Sequence, residues 1–154
     1  MRVRHHRHGK TTPMWLLLCA LVGCHAADHV EQTRFANGRL KSRVAKKVLA
    51  DGSTVRDGDF RSWFSNGRLH EAGRYVNGQM DGTWTIYDEQ GRKRGIQHYV
   101  LGRRHGRWLA WHANGRLARQ WAYDHGLKHG DWITWDENGK VIQRERYSRG
   151  IPQP

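Results

Sequence analysis

The sequence predicts an all-β chain: an elongated single-layer antiparallel meander of 24-residue β-hairpin repeats, preceded by a signal peptide. Three observations carry this reading. Glycines recur at a step of 24 in three columns: Gly58, Gly82, Gly106 and Gly130; Gly67, Gly91, Gly115 and Gly139; Gly78, Gly102, Gly126 and Gly150. Aromatic residues keep the same step, in the columns Phe60, Trp84, Trp108, Trp132; Trp63, Tyr87, Trp111, Trp135; and Tyr75, Tyr99, Tyr123, Tyr147. Composition agrees, because 18 Gly, 8 Trp and 5 Tyr beside only 3 Pro suit short strands joined by tight turns rather than packed helices.

One unit shows how the elements follow. Arg107 to His112 reads as an aromatic-rich strand, Ala113 to Arg116 as a turn, Leu117 to Tyr123 as a second strand, and Asp124 to His129 as a second turn. Two strands and two turns in 24 residues leave no room for a helix. Asn-Gly at 66–67, 114–115 and 138–139 is the strongest short hairpin signal, on the expectation that both residues take positive φ; Gln90-Gly91 is the weaker variant. Trp108 and Trp111 are three apart, so a regular strand sends them to opposite faces and each face carries an aromatic column.

The ends depart from the repeat. Arg2, Arg4, Arg7 and Lys10 form a positive stretch ahead of a ten-residue apolar run from Met14 to Gly23. That run is too short to span a bilayer, which takes about 20 residues, and has the length of a signal-peptide core. Phe35-Ala-Asn-Gly-Arg-Leu40 echoes Phe64-Ser-Asn-Gly-Arg-Leu69 at a step of 29. The expected organisation is therefore a signal peptide over 1–23, a tether over 24–30, a degenerate capping repeat over 31–57, four repeats over 58–150 (58–81, 82–105, 106–129 and 130–150) and a tail over 151–154. Pro152 and Pro154 are expected to blunt the last edge strand.

Leu21-Val22-Gly23-Cys24 resembles the bacterial lipobox. The resemblance implies cleavage before Cys24 and acylation, for instance by palmitate, of that cysteine. His25 in place of Asp implies, by likeness to Gram-negative sorting signals, the outer membrane facing the periplasm. Cys19 would leave with the signal, so the mature chain would hold neither a free thiol nor a disulfide. Residues 1–23 hold four of the 27 basic side chains and none of the 14 acidic ones, so the remainder carries +9. A surface of that sign favours polyanions.

Two columns of basic residues are candidate contacts for a polyanion: Arg68, Arg92, Arg116 and Lys140 after the turn glycines, and the shorter pair Arg104 and Lys128. Trp121 stands outside the aromatic columns, with Gly73, Gln97 and Glu145 at its equivalents, and is the candidate for an exposed contact. The column aromatics Trp84, Trp108, Trp132, Tyr87, Trp111, Trp135, Tyr75, Tyr99, Tyr123 and Tyr147, with Gly82, Gly106 and Gly130, are assigned structural roles. No catalytic set is evident, and Asp88-Glu89 and Asp136-Glu137 sit where turns favour such residues. His105 and His129 lie two strands apart, too far to share a metal without reaching, and His112 and His125 show no ligand spacing. Neither a cofactor nor a metal is expected.

The unit itself resembles the MORN-repeat variant of bacteria, including YwqK-like antitoxin proteins. The matching residues are Gly82-Thr-Trp84, Tyr87, Gly91, Tyr99, Gly102 and His105-Gly106, with their equivalents 24 residues on, over about 58–150. The resemblance implies an elongated, twisted, single-layer sheet that mediates binding. The expected function is a non-enzymatic envelope lipoprotein that binds or scaffolds a protein or an anionic envelope polymer. The alternative is an antitoxin or immunity protein that neutralises a toxin by direct binding. Membrane contact runs through the lipid, and export argues against nucleic acid as a partner.

Overall fold

The computed structural model describes residues 29–154. Cys24 and the expected signal peptide therefore lie outside the described residues. The strands are β1 (His29–Arg34), β2 (Leu40–Val48), β3 (Thr54–Trp63), β4 (Leu69–Val76), β5 (Gln79–Tyr87), β6 (Lys93–Val100), β7 (Arg103–Arg104), β8 (Gly106–Trp111), β9 (Leu117–Asp124), β10 (Leu127–Trp135), β11 (Val141–Ser148) and β12 (Ile151–Gln153). They form one open antiparallel sheet in chain order, with β7 and β8 both on β6 as two parts of one strand interrupted at His105. The first strand begins at His29, inside the segment expected to be tether.

Two kinds of turn alternate through the repeats. The wide turn spans five residues, as at Phe64–Arg68, where Phe64 N–H donates to Arg68 C=O at 2.8 Å and Gly67 N–H to Phe64 C=O at 2.9 Å. The expectation of two positive φ values at Asn66-Gly67 is corrected here, because only the glycine takes one (φ 88°). Asn66 instead accepts the Arg68 N–H on its side-chain oxygen at 2.9 Å. The two-residue loop with both φ positive lies at the other end of the hairpins: Asn77-Gly78 (47°, 83°), Leu101-Gly102 (46°, 77°), His125-Gly126 (48°, 94°) and Arg149-Gly150 (47°, 86°). These are type I′ turns, whose twist matches that of the flanking strands. The second turn is thus shorter than the Asp124–His129 expected, and β10 starts at Leu127.

The 29-residue step near the N-terminus also has a plain cause. The turn between β2 and β3 is the wide kind (Leu49–Ser53), where later units have the two-residue kind. That adds three residues, and β2 and β3 are each one residue longer than β4 and β5.

The register jumps where a unit meets the one before it. Ala72 pairs with Thr85 and Arg74 with Asp81, so Gly82, Thr83 and Trp84 together face Gly73. Gly82 (φ 70°), Gly106 (69°) and Gly130 (67°) make this bulge, in a conformation that side-chain-bearing residues avoid. The bulge turns the following Trp over the sheet. Phe60, Tyr75, Trp84, Tyr99, Trp108, Tyr123, Trp132 and Tyr147 then interleave along one face, with successive ring centroids 5.7, 5.1, 6.5, 5.1, 5.3, 5.3 and 5.5 Å apart. Two sequence columns are one zipper. Edge-to-face pairs of this kind each stabilise by about 0.5–1.5 kcal/mol beyond the area they bury.

The reverse face carries the other column. Trp63, Tyr87, Trp111 and Trp135 are half-buried and pair with Leu69, Lys93, Leu117 and Val141 across a second register shift. Ile133 is buried on this side as well. The core is accordingly two thin apolar layers rather than one thick one. The buried hydrophobic residues, Val44, Trp84, Trp108, Tyr123 and Ile133, lie along the sheet instead of at a centre.

Candidate functional site

On the zipper face, β9, β10 and β11 frame a groove of about 520 Å³. Register explains its lining. Trp121 lies opposite Trp108, Lys128 opposite Tyr123, Trp132 opposite Glu145, and Thr134 opposite both Arg119 and Gln143. The groove therefore combines the rings of Trp121, Tyr123, Trp132 and Tyr147 with Arg119, Lys128, Gln143 and Glu145.

Trp121, expected as an exposed contact, is half-buried and tilts against Trp108 at 6.1 Å. It remains part of the groove lining.

Arg104 and Lys128 join the zipper directly. The Arg104 guanidinium lies 5.3 Å from the Trp108 ring and 5.2 Å from Tyr123, and donates to the Tyr123 hydroxyl at 3.0 Å. Lys128 Nζ lies 4.3 Å from the Trp132 ring and 4.4 Å from Tyr147, and donates to the Tyr147 hydroxyl at 3.2 Å. Arg56 holds Tyr75 in the same way at 5.2 Å and 3.2 Å. Arg56 belongs to the same column, but its equivalent in the next unit is Met80, so the series was hidden in the sequence. Cations over ring faces gain about 0.5–2 kcal/mol each and keep their charge at the surface.

The basic column after the wide turns is largely committed elsewhere. Arg68 donates to the Glu89 carbonyl at 2.9 Å and Arg116 to that of Glu137 at 3.2 Å. Asn66 and Asn114 reach the same carbonyls, at 3.1 and 2.8 Å. These contacts stitch the turns Phe64–Arg68 and His112–Arg116 each to the next wide turn along the array. Arg92 folds back onto Asp88 at 2.9 Å. The Lys140 main-chain N–H donates to Asp136 at 2.9 Å, and its side chain is exposed. The Asp136 carboxyl is held below its ordinary pKa, first by that hydrogen bond. Glu71, by contrast, is pushed up by burial.

The histidines are arranged differently from the expectation built on His105 and His129. His105 meets His125, with ring centroids 4.8 Å apart, and Asp124 lies between them. Asp124 Oδ1 is 2.7 Å from His125 Nδ1 and 3.8 Å from His105 Nδ1. The hydrogen bond from His125 is the main reason the Asp124 carboxyl sits below its ordinary range. Sequence spacing missed this trio because the contact depends on how a turn of one unit docks on the unit before.

A family model described as the MORN repeat variant matches residues 128–148. This segment is similar to a MORN-type repeat. It runs from Lys128 in β10 through β11 to Ser148, which is one wide-turn hairpin of the array. Its Trp132, Trp135, Gly139 and Tyr147 are the column residues that recur in the preceding units, so the MORN-type hairpin is the structural unit of the sheet. No curated protein matches the chain.

Proposed function

We propose that this chain is a non-enzymatic binding module of the bacterial envelope, anchored by a lipid on Cys24, whose zipper face holds an anionic polysaccharide. The observation that carries the reading is the groove over β9–β11, where aromatic faces and the cations Arg119 and Lys128 line one open surface. Aromatic rings stack against the C–H faces of sugars, and the cations meet carboxylates or phosphates of the same polymer. The +9 charge of the chain from Cys24 onward adds long-range attraction. The lipobox-like Leu21-Val22-Gly23-Cys24 supports export and anchoring, and MORN-type repeats suit a rigid display surface.

The test uses full-length protein in detergent, with lipopolysaccharide and isolated cell-wall sacculi as the polymers. Binding to one of them is expected at low salt, falling steeply as the Debye length drops from about 10 Å at 0.1 M to about 3 Å at 1 M. Trp121→Ala and Lys128→Gln are each expected to weaken it by about tenfold, roughly 1.4 kcal/mol. Absence of binding to either polymer at low salt, or binding indifferent to both substitutions, refutes the groove. Radiolabelled palmitate on the wild type but not on Cys24→Ser, in the outer-membrane fraction, is the expected result for the anchor.

A further inference from the structure

The contacts among His105, Asp124 and His125 raise a separate question, because capping a turn needs only one of them. In two units the left-handed residue of the type I′ turn donates its main-chain N–H to a side chain at the end of the unit before. Asp81 accepts from Leu101 N–H at 3.1 Å, and His105 Nδ1 accepts weakly from His125 N–H at 3.4 Å. An acceptor at 81 or 105 therefore has a structural use. A second imidazole and a carboxylate beside it have none in that scheme. The equivalent trio in the preceding unit is Asp81, Val100, Leu101, and in the following unit His129, Ser148, Arg149. Among the described residues, three ligating side chains meet only at this junction of two units.

We infer that His105, Asp124 and His125 form a site for one divalent transition-metal ion of the zinc class. The fold supplies the approach: Gly126 N–H donates to the Arg104 carbonyl at 2.7 Å, which docks the turn carrying His125 beside His105. One ligand atom from each residue lies within 4.8 Å of the others. Tetrahedral zinc with bonds of about 2.0–2.1 Å places its ligands roughly 3.3 Å apart. The two separations from Asp124 Oδ1, 2.7 and 3.8 Å, lie on either side of that value. The side chains are 39%, 37% and 63% exposed for His105, Asp124 and His125, so small rotations close the geometry and a water completes the fourth position. Two imidazoles with one carboxylate favour zinc, cobalt, nickel or copper over magnesium and calcium, which take oxygen ligands. The site lies at the type I′ turn, apart from the polymer groove, and stands whether or not that groove binds.

The experiment titrates zinc into full-length protein purified without a histidine tag, with binding read by calorimetry and Co²⁺ coordination read by its visible absorption. One ion per chain is expected at this site, with a tetrahedral cobalt spectrum. His105→Ala, Asp124→Asn and His125→Ala should each weaken binding by at least about tenfold, the lower bound for losing even a partner of a ligand. His29→Ala, on β1, should leave binding unchanged. Reading differences between variants cancels any zinc held by His5, His6 and His8. These side chains are on the surface, so each variant folds, which circular dichroism checks. Zinc bound equally by wild type and all three variants, or bound by none, overturns the site.

Discussion

At the scale of single residues, the zipper works because partners across the sheet are matched in size. Trp84 is 1% exposed and lies over Gly73, where a β-carbon would fall inside the indole. One unit earlier the ring is the smaller Phe60, and the residue opposite it is Val44, buried to 2% exposure. A large ring over nothing and a small ring over a valine fill the same space. Trp84 loses something by this: Trp108 and Trp132 donate their Nε1–H to the carbonyls of His98 and Ala122, both at 3.1 Å, while Trp84 Nε1 is buried without a partner. Replacing Gly73→Ala forces the indole off the sheet and should cost about 3 kcal/mol, the upper part of the range for overpacking. Urea denaturation checks this, and a loss below about 1 kcal/mol would mean the ring slides aside freely. The Trp and Tyr columns were legible in the sequence. That they form one interleaved row was not, because the bulge at Gly82 and its equivalents decides which way each Trp turns. The same cause hid the partnership of Trp121 with Trp108.

At the scale of the element, the two turns share one glycine-rich vocabulary and differ in geometry. Asn-Gly occurs in both kinds, at 66–67 in a wide turn and at 77–78 in a type I′ turn, so the dipeptide alone does not distinguish them. What separates them is the pairing beyond the turn, which is a property of the sheet. The type I′ series holds Asn77, Leu101, His125 and Arg149 in the left-handed region, and Asn is the residue that tolerates it best among the four. Leu101→Asn should therefore raise stability by about 0.5–1 kcal/mol, seen as a higher Tm. Leu101 is 57% exposed, so little burial is lost in exchange. A lower Tm would show that the leucine makes an apolar contact worth more than the strain.

At the scale of the whole molecule, the sheet of the described residues is open and ends in two edge strands, β1 and β12. The repeat period made the meander readable from the sequence. The cap at its start was only partly readable, because a wide turn at Leu49–Ser53 replaces a type I′ turn without any change of composition that marks it. At the far edge, β12 pairs through Ser148 with Ile151 and Tyr147 with Pro152. Closing a two-residue loop makes the first of these the hydrogen-bonded pair, so position 152 faces outward. Proline there removes a donor that an incoming strand would use. Pro152→Val should restore it and produce concentration-dependent association in sedimentation velocity. A variant that stays monomeric at all concentrations would assign the protection to Pro154 or to charge.

The order of the strands also has a mechanical meaning. β1 and β12 lie at opposite edges, so a pull between the two ends of the chain runs across the strands rather than along them. Ladder bonds loaded this way open one pair at a time, as a zip does, and each hairpin that yields releases its own length of chain. A strip of this design gives way gradually under tension instead of snapping.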